Sequence, residues 1–102
     1  MTINGKEYEL KKIDFKALVK LEKLGLTIPV ISNIEDNYWG ALSVLMAYIM
    51  GDKNTDRADV EIEQHIENGG SLDDFTPLFE MLTKSDFFMN LSKQPKTASK
   101  DE

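Results

Sequence analysis

A chain of 102 residues, 41% of them apolar and 29% charged, can form one domain with a modest core and is too apolar to be wholly disordered. The absence of cysteine excludes a disulfide framework, a thiolate metal site and a cysteine nucleophile. The formal net charge of −6 disfavours binding to nucleic-acid phosphates. No charged and then apolar leader begins the chain, so we expect a cytosolic protein.

The charge is unevenly distributed along the chain. Residues 1–24 contain six lysines against four acidic residues, whereas residues 35–91 contain three basic residues against twelve acidic ones. An acidic body of this kind favours a basic or neutral protein partner.

Residues 1–12 predict a β-hairpin. Asn4-Gly5 separates Thr2-Ile3 from an alternating pattern at Tyr8 and Leu10. Both turn residues tolerate the positive φ of a type I′ turn. Because two strands alone are barely stable, we expect the apolar side of the hairpin to lie on helices.

The next segment predicts a helix and then a linker. Asp14 is placed to cap a helix that ends at Gly25. Residues 26–36 contain Pro29 and lack helical spacing, which predicts an extended linker. Its many aliphatic side chains either cover the core or form part of a partner surface, and packing on the core is the favoured interpretation.

The uncharged run Tyr38 to Met50 predicts the central helix of the domain. It has no polar face, so a helix there must be buried on nearly all sides. At about 20 Å it is too short to span a bilayer. Most of it should be core, although a flank carrying Trp39, Met46 and Met50 is also suited to binding.

The second half of the chain predicts further helices. An acidic helix should start at Thr55 or Asp56 and end near Asn68, and Ser71 with Asp74 resembles a capping box. Pro77 either kinks the following helix or lies at its start, with the helix restarting at Thr76. Residues 86–91 should add a short turn with three large apolar residues in a row. At least one of them should be exposed or covered by a partner, although packing of this turn onto the central helix is the slightly favoured interpretation.

These elements predict a mainly α (α+β) fold. A small N-terminal hairpin should pack on a bundle of four to five helices around the central apolar helix. We expect one domain over residues 1–91 and a flexible tail over residues 92–102, which have no apolar pattern.

Few residues suggest chemistry. The segment from Asp52 to Glu63 has oxygen ligands at EF-hand spacing, but Arg57 occupies the position where such a loop needs glycine, so a turn and helix cap are the better interpretation. His65 is predicted to be a surface residue. No phosphate loop, nucleophile elbow or zinc helix is present, and we expect no catalytic residue, cofactor or metal.

The opening TINGKEYELKKIDFKALVKLEKLGL resembles that of tail assembly chaperones of long-tailed phages and prophages. Members begin with an INGKEYEL-type hairpin followed by a helix with the pattern F-x-x-L-x-x-L-E, which falls here on Phe15, Leu18, Leu21 and Glu22. The apolar middle helix, the acidic helix, the Asn-Gly-Gly break and the closing Phe-Phe pair continue the resemblance to about Met89.

The resemblance implies a non-enzymatic chaperone of virion assembly in the cytoplasm of the bacterial host. Such proteins bind the tape measure protein, keep it soluble and help tail tube subunits assemble around it. Many members also have a frameshifted longer form, and self-association is compatible with the family. The alternative is a small structural or adaptor protein of the phage tail, and a third possibility is a calcium-responsive binding domain.

A client helix would bury its apolar face in a groove of the chaperone. No family motif assigns the wall of that groove. The candidate residues are the large apolar ones of the central helix and of the end of the chain, namely Trp39, Met46, Met50, Phe87, Phe88 and Met89.

Overall fold

A two-stranded hairpin followed by five α-helices and one 3₁₀-helix makes up the part of the chain, residues 1–85, that the computed structural model describes. This confirms the mainly helical fold with a small N-terminal hairpin. The elements are β1 Thr2–Ile3, β2 Lys6–Glu7, α1 Phe15–Leu24, α2 Ile28–Ser32, α3 Tyr38–Met50, α4 Asp56–Glu67, the 3₁₀-helix Leu72–Phe75 and α5 Thr76–Thr83. The expected domain end at residue 91, the tail over 92–102 and the turn over 86–91 lie outside the described residues.

Helix α3 is the centre of the core. It packs against α1, α4 and α5, and seven of its residues are buried. The core around it also takes one buried side chain from the hairpin, Ile3, and others from α1, the 3₁₀-helix and α5, such as Leu21, Phe75 and Leu78. The uncharged run therefore forms the central helix with the predicted bounds.

Local chemistry explains how most elements begin and turn. Asn4 and Gly5 have φ values of 57° and 77°, as a type I′ hairpin turn requires. The Asp14 carboxylate accepts a hydrogen bond from the backbone N–H of Ala17 at 2.9 Å and caps α1. Ser71 forms the predicted capping box with an aspartate three residues later.

The extended linker predicted for residues 26–36 is wrong, because this segment contains α2. Pro29 lies in the first turn of that helix, where a missing N–H breaks no hydrogen bond. The backbone N–H of Ile31 donates to the Thr27 carbonyl at 2.9 Å and closes the turn. The same logic applies to α5, which starts at Thr76 with Pro77 in its first turn rather than being kinked by it.

Among the described residues, no helix is both long enough and apolar enough to cross a membrane. The longest is α3, with 13 residues.

Candidate functional site

Trp39 is the most exposed of the predicted partner-binding residues that the structure describes. It is 66% exposed and lies in the first turn of α3, before the buried residues of that helix. The ring of the neighbouring Tyr38 meets it edge to face at 5.3 Å and stacks on the Phe79 ring of α5 at 4.9 Å. These contacts hold a large apolar surface in a defined position towards solvent.

The other candidates on α3 lie deeper. Met46 is fully buried in the core and Met50 is half-buried. Met46 could reach a partner only if the core opened, so the structure does not place it with Trp39 on one accessible surface. Phe87, Phe88 and Met89 lie outside the described residues.

A second apolar surface, which was not predicted from the sequence, lies between α1 and α2. We call it the α1–α2 groove. It has a volume of about 250 Å³ and is lined, with a single charged residue, by Phe15, Leu18, Val19, Glu22, Leu26, Ile28 and Ile31. Ile28 is 57% exposed at its edge. The signal for it was the aliphatic run after Gly25, for which a partner surface was the less favoured interpretation.

Helix geometry explains how the groove forms. Ala17 and Leu21 point into the core, which turns Val19 and Glu22 to the outer side of α1. Gly25, with φ of 121°, ends α1, and the buried Leu26 then anchors the chain so that α2 folds back beside it. A row of apolar side chains is thereby left facing a short helix that cannot cover them.

The polar residues with the richest hydrogen bonding lie elsewhere, where the hairpin meets α4 and the 3₁₀-helix. We call this region the polar corner. His65 Nδ1 accepts a hydrogen bond from the backbone N–H of Asn4 at 2.8 Å, and His65 Nε2 lies 2.8 Å from Asp74 Oδ2. The imidazole is only 13% exposed, so the prediction of a surface histidine is wrong. Its accepting Nδ1 places the proton of a neutral ring on Nε2, which then donates to Asp74.

Ion pairs and further hydrogen bonds complete the polar corner. The Asn4 side-chain amide donates to Glu61 at 3.2 Å and to Gln64 at 3.0 Å. Lys6 Nζ lies 2.8 Å from Glu61 Oε2, and this hydrogen bond lowers the pKa of the Glu61 carboxyl and raises that of the lysine. These hydrogen bonds and the ion pair tie the hairpin to α4.

The residues at EF-hand spacing also have structural roles. Asp52 Oδ1 accepts from Arg57 Nη1 at 3.0 Å, and Asn54 Oδ1 accepts from the backbone N–H of Asp56 at 3.0 Å, at the start of α4. Over residues 1–85, no group of three or more His, Asp or Glu side chains is arranged to hold a metal ion.

Comparison of the chain with protein-family models, with curated proteins and with solved structures gives no significant match. Within the part of the chain that the structure describes, the α1–α2 groove and the 66% exposed Trp39 are two apolar surfaces that a partner protein can cover.

Proposed function

We propose that this chain is a tail assembly chaperone of a long-tailed phage or prophage, acting without catalysis in the cytoplasm of the bacterial host. It would bind an apolar helical segment of the tape measure protein, keep that protein soluble and promote assembly of tail tube subunits around it. The resemblance of the opening residues suggests the family. The α1–α2 groove is the observation that carries the binding function.

The groove has the features that an amphipathic helix requires. Helix-in-groove recognition seats side chains at helical spacing between two apolar walls. Here Val19 and Ile28 belong to opposite walls, formed by α1 and α2, and Leu26 is a buried lining residue. Fully burying an exposed aliphatic side chain contributes about 1.5–3 kcal/mol. Covering Ile28, which is 57% exposed, and the partly exposed Leu18, Val19 and Ile31 would therefore support a specific but reversible contact.

Two further features support a chaperone. Trp39 adds a rigid aromatic surface on α3, of the type that dominates binding energy at protein interfaces. The excess of acidic residues beyond residue 35 complements lysine-rich stretches of a long client chain and keeps a chaperone with exposed apolar surface soluble.

The proposal is tested by co-expressing the chain with the tape measure protein of the same genome and measuring how much of that protein stays soluble and bound. Ile28→Glu should reduce binding at least about tenfold, because it places a charge in the apolar contact. The matched control is Val60→Glu, which changes a similarly exposed aliphatic residue on α4, outside the groove. It should bind as the unchanged protein does.

Thermal unfolding of both variants separates binding from folding, since both residues are at least half exposed and should tolerate the change. Equal binding by the two variants would remove the groove from the proposal. Trp39→Ala, measured in the same assay, tests the aromatic contact. Finding the chain in purified virions would favour the alternative, a structural or adaptor protein of the tail.

A further inference from the structure

A basic pocket lies on the opposite side of α1 from the α1–α2 groove, where the C-terminal ends of α1 and α3 come together. We call it the lysine pocket. Its volume is about 400 Å³, and its lining includes Lys11, Lys20, Lys23 and Lys53 around the apolar Leu24 and Tyr48. These lysines come from the loop before α1, from α1 itself and from the turn after α3. The fold thus gathers lysines from separate segments of an acidic protein.

Few carboxylates oppose these lysines. Asp52 also lines the pocket, but Arg57 pairs with its Oδ1 at 3.0 Å. Within residues 1–85, Lys20, Lys23 and Lys53 have no carboxylate within ion-pair distance, unlike Lys6 and Lys84. The pocket therefore keeps a local positive charge.

One lysine of the pocket is fixed by its neighbours. Lys11 Nζ donates to the Tyr48 carbonyl at 3.1 Å and lies 5.2 Å from the centre of the Tyr48 ring. These contacts fix the position of Lys11. Lys20, Lys23 and Lys53 are therefore the lysines that can bind a ligand.

Favourable interaction of the lysines with the C-terminal ends of α1 and α3 explains only part of the positive charge in the pocket. Cations near a helix C-terminus interact favourably with roughly half a negative charge, so two helix ends account for about one charge in total. Both ends are also capped by backbone N–H groups, those of Gly25 and Leu26 for α1 and of Gly51 and Asp52 for α3. The lysines exceed what these helix ends need.

We propose that the lysine pocket binds an acidic peptide segment of a partner protein, with carboxylates on Lys20, Lys23 and Lys53 and an apolar side chain between Leu24 and Tyr48. The pocket has room for one or two side chains of a peptide. The apolar surface of Leu24 and Tyr48 in the pocket favours a peptide, which carries apolar side chains, over an inorganic anion. The net charge of −6 opposes a long phosphate chain, so a short acidic peptide is a better match than a nucleic acid.

The test uses the whole chain and a short synthetic peptide in which glutamates flank a leucine. NMR titration should perturb the amides of Leu24 and Gly51 and should do so less as salt is raised. Lys20→Glu should weaken binding about tenfold. The matched control is Lys16→Glu, the same charge change one turn earlier on the same helix but outside the lining of the pocket, which should weaken binding clearly less than Lys20→Glu does.

Several results would overturn the proposal. Equal losses from the two variants would mean attraction to overall charge, and perturbations centred on α4 would place the peptide elsewhere. Self-association that Lys20→Glu abolishes, without peptide binding, would make a second copy the occupant. The assay contains no tape measure protein, so its failure would leave the proposed chaperone function standing, and the reverse also holds.

Discussion

The polar corner and the α1–α2 groove lie on the same small core but use their side chains in different ways. In the corner, Asn4 of the hairpin donates hydrogen bonds to Glu61 and His65 of α4, and His65 in turn bonds to Asp74 of the 3₁₀-helix. In the groove, by contrast, Ile28 is 57% exposed and Val19 on the facing helix is partly exposed. The side chains of the corner hydrogen-bond to other residues of the chain, whereas the exposed side chains of the groove are available to a partner.

This difference has an energetic consequence. A partly buried polar group that loses its hydrogen-bond partner remains desolvated with no interaction to offset the cost. Small substitutions in the polar corner should therefore lower the free energy of unfolding markedly. Exposed aliphatic residues contribute little to the folded state and can be changed with little effect on stability. Three changes, with progressively smaller effects on stability, test this contrast.

Phe75→Ala should be the most damaging change. Phe75 is fully buried in the 3₁₀-helix, and the ring of His65 meets its ring edge to face at 5.3 Å. Its loss should lower the free energy of unfolding by about 3–5 kcal/mol in urea denaturation. Ile28→Ala, the matched change in the groove, should cost less than about 1 kcal/mol. Similar costs for the two variants would contradict the contrast.

Gly70→Ala should disturb the corner through one added methyl group. A Cβ on Gly70 would lie 2.3 Å from His65 Nε2, so the ring must move away from its partners. We expect a loss of about 1–3 kcal/mol and a shifted amide resonance for Asn4. Gly40→Ala, in helix α3 with nothing within 4 Å, should instead stabilise by about 0.5–1 kcal/mol. An unchanged Asn4 amide in Gly70→Ala would show that the corner tolerates the methyl group.

Lowering the pH should reduce the stability that the polar corner contributes, and this effect should be smaller than those of the two substitutions above. The Ser71 backbone N–H and then His65 lower the pKa of the Asp74 carboxyl, and Lys6 lowers that of Glu61. A lowered folded pKa gives stability that is complete above the unfolded pKa, near pH 4, and is lost as the pH falls through the folded value. Asp74→Asn should therefore flatten the decline of the melting temperature below about pH 4. Ile28→Ala should keep the slope of the unchanged protein.

Elements determined by neighbouring residues could be predicted from the sequence. The turn at Asn4-Gly5, the cap at Asp14 and the bounds of α3 follow from local preferences and from an uninterrupted apolar run. Helix α2 does not follow from these preferences, because Pro29 and the lack of helical spacing favour an extended linker, whereas proline in fact suits the first turn of a helix.

Features that depend on distant contacts could not be predicted in this way. The hydrogen bond of His65 to Asn4 spans 61 positions, and nothing near His65 in the sequence indicates it. Trp39 is exposed and Met46 is buried, although both belong to the same apolar run of the sequence. Which residues of that run are covered depends on where α5 packs against α3. The groove likewise exists only once α2 has folded back on α1.

The two-residue strands of the hairpin make its register decisive. Thr2 pairs with Glu7 and Ile3 with Lys6, and only Ile3 enters the core. Since successive side chains of a strand point to opposite faces, a slip of one residue would turn Ile3 to solvent and point Thr2 inwards. The Asn-Gly turn thus selects which side chain completes the core, a choice that strands this short could not enforce by their own pairing.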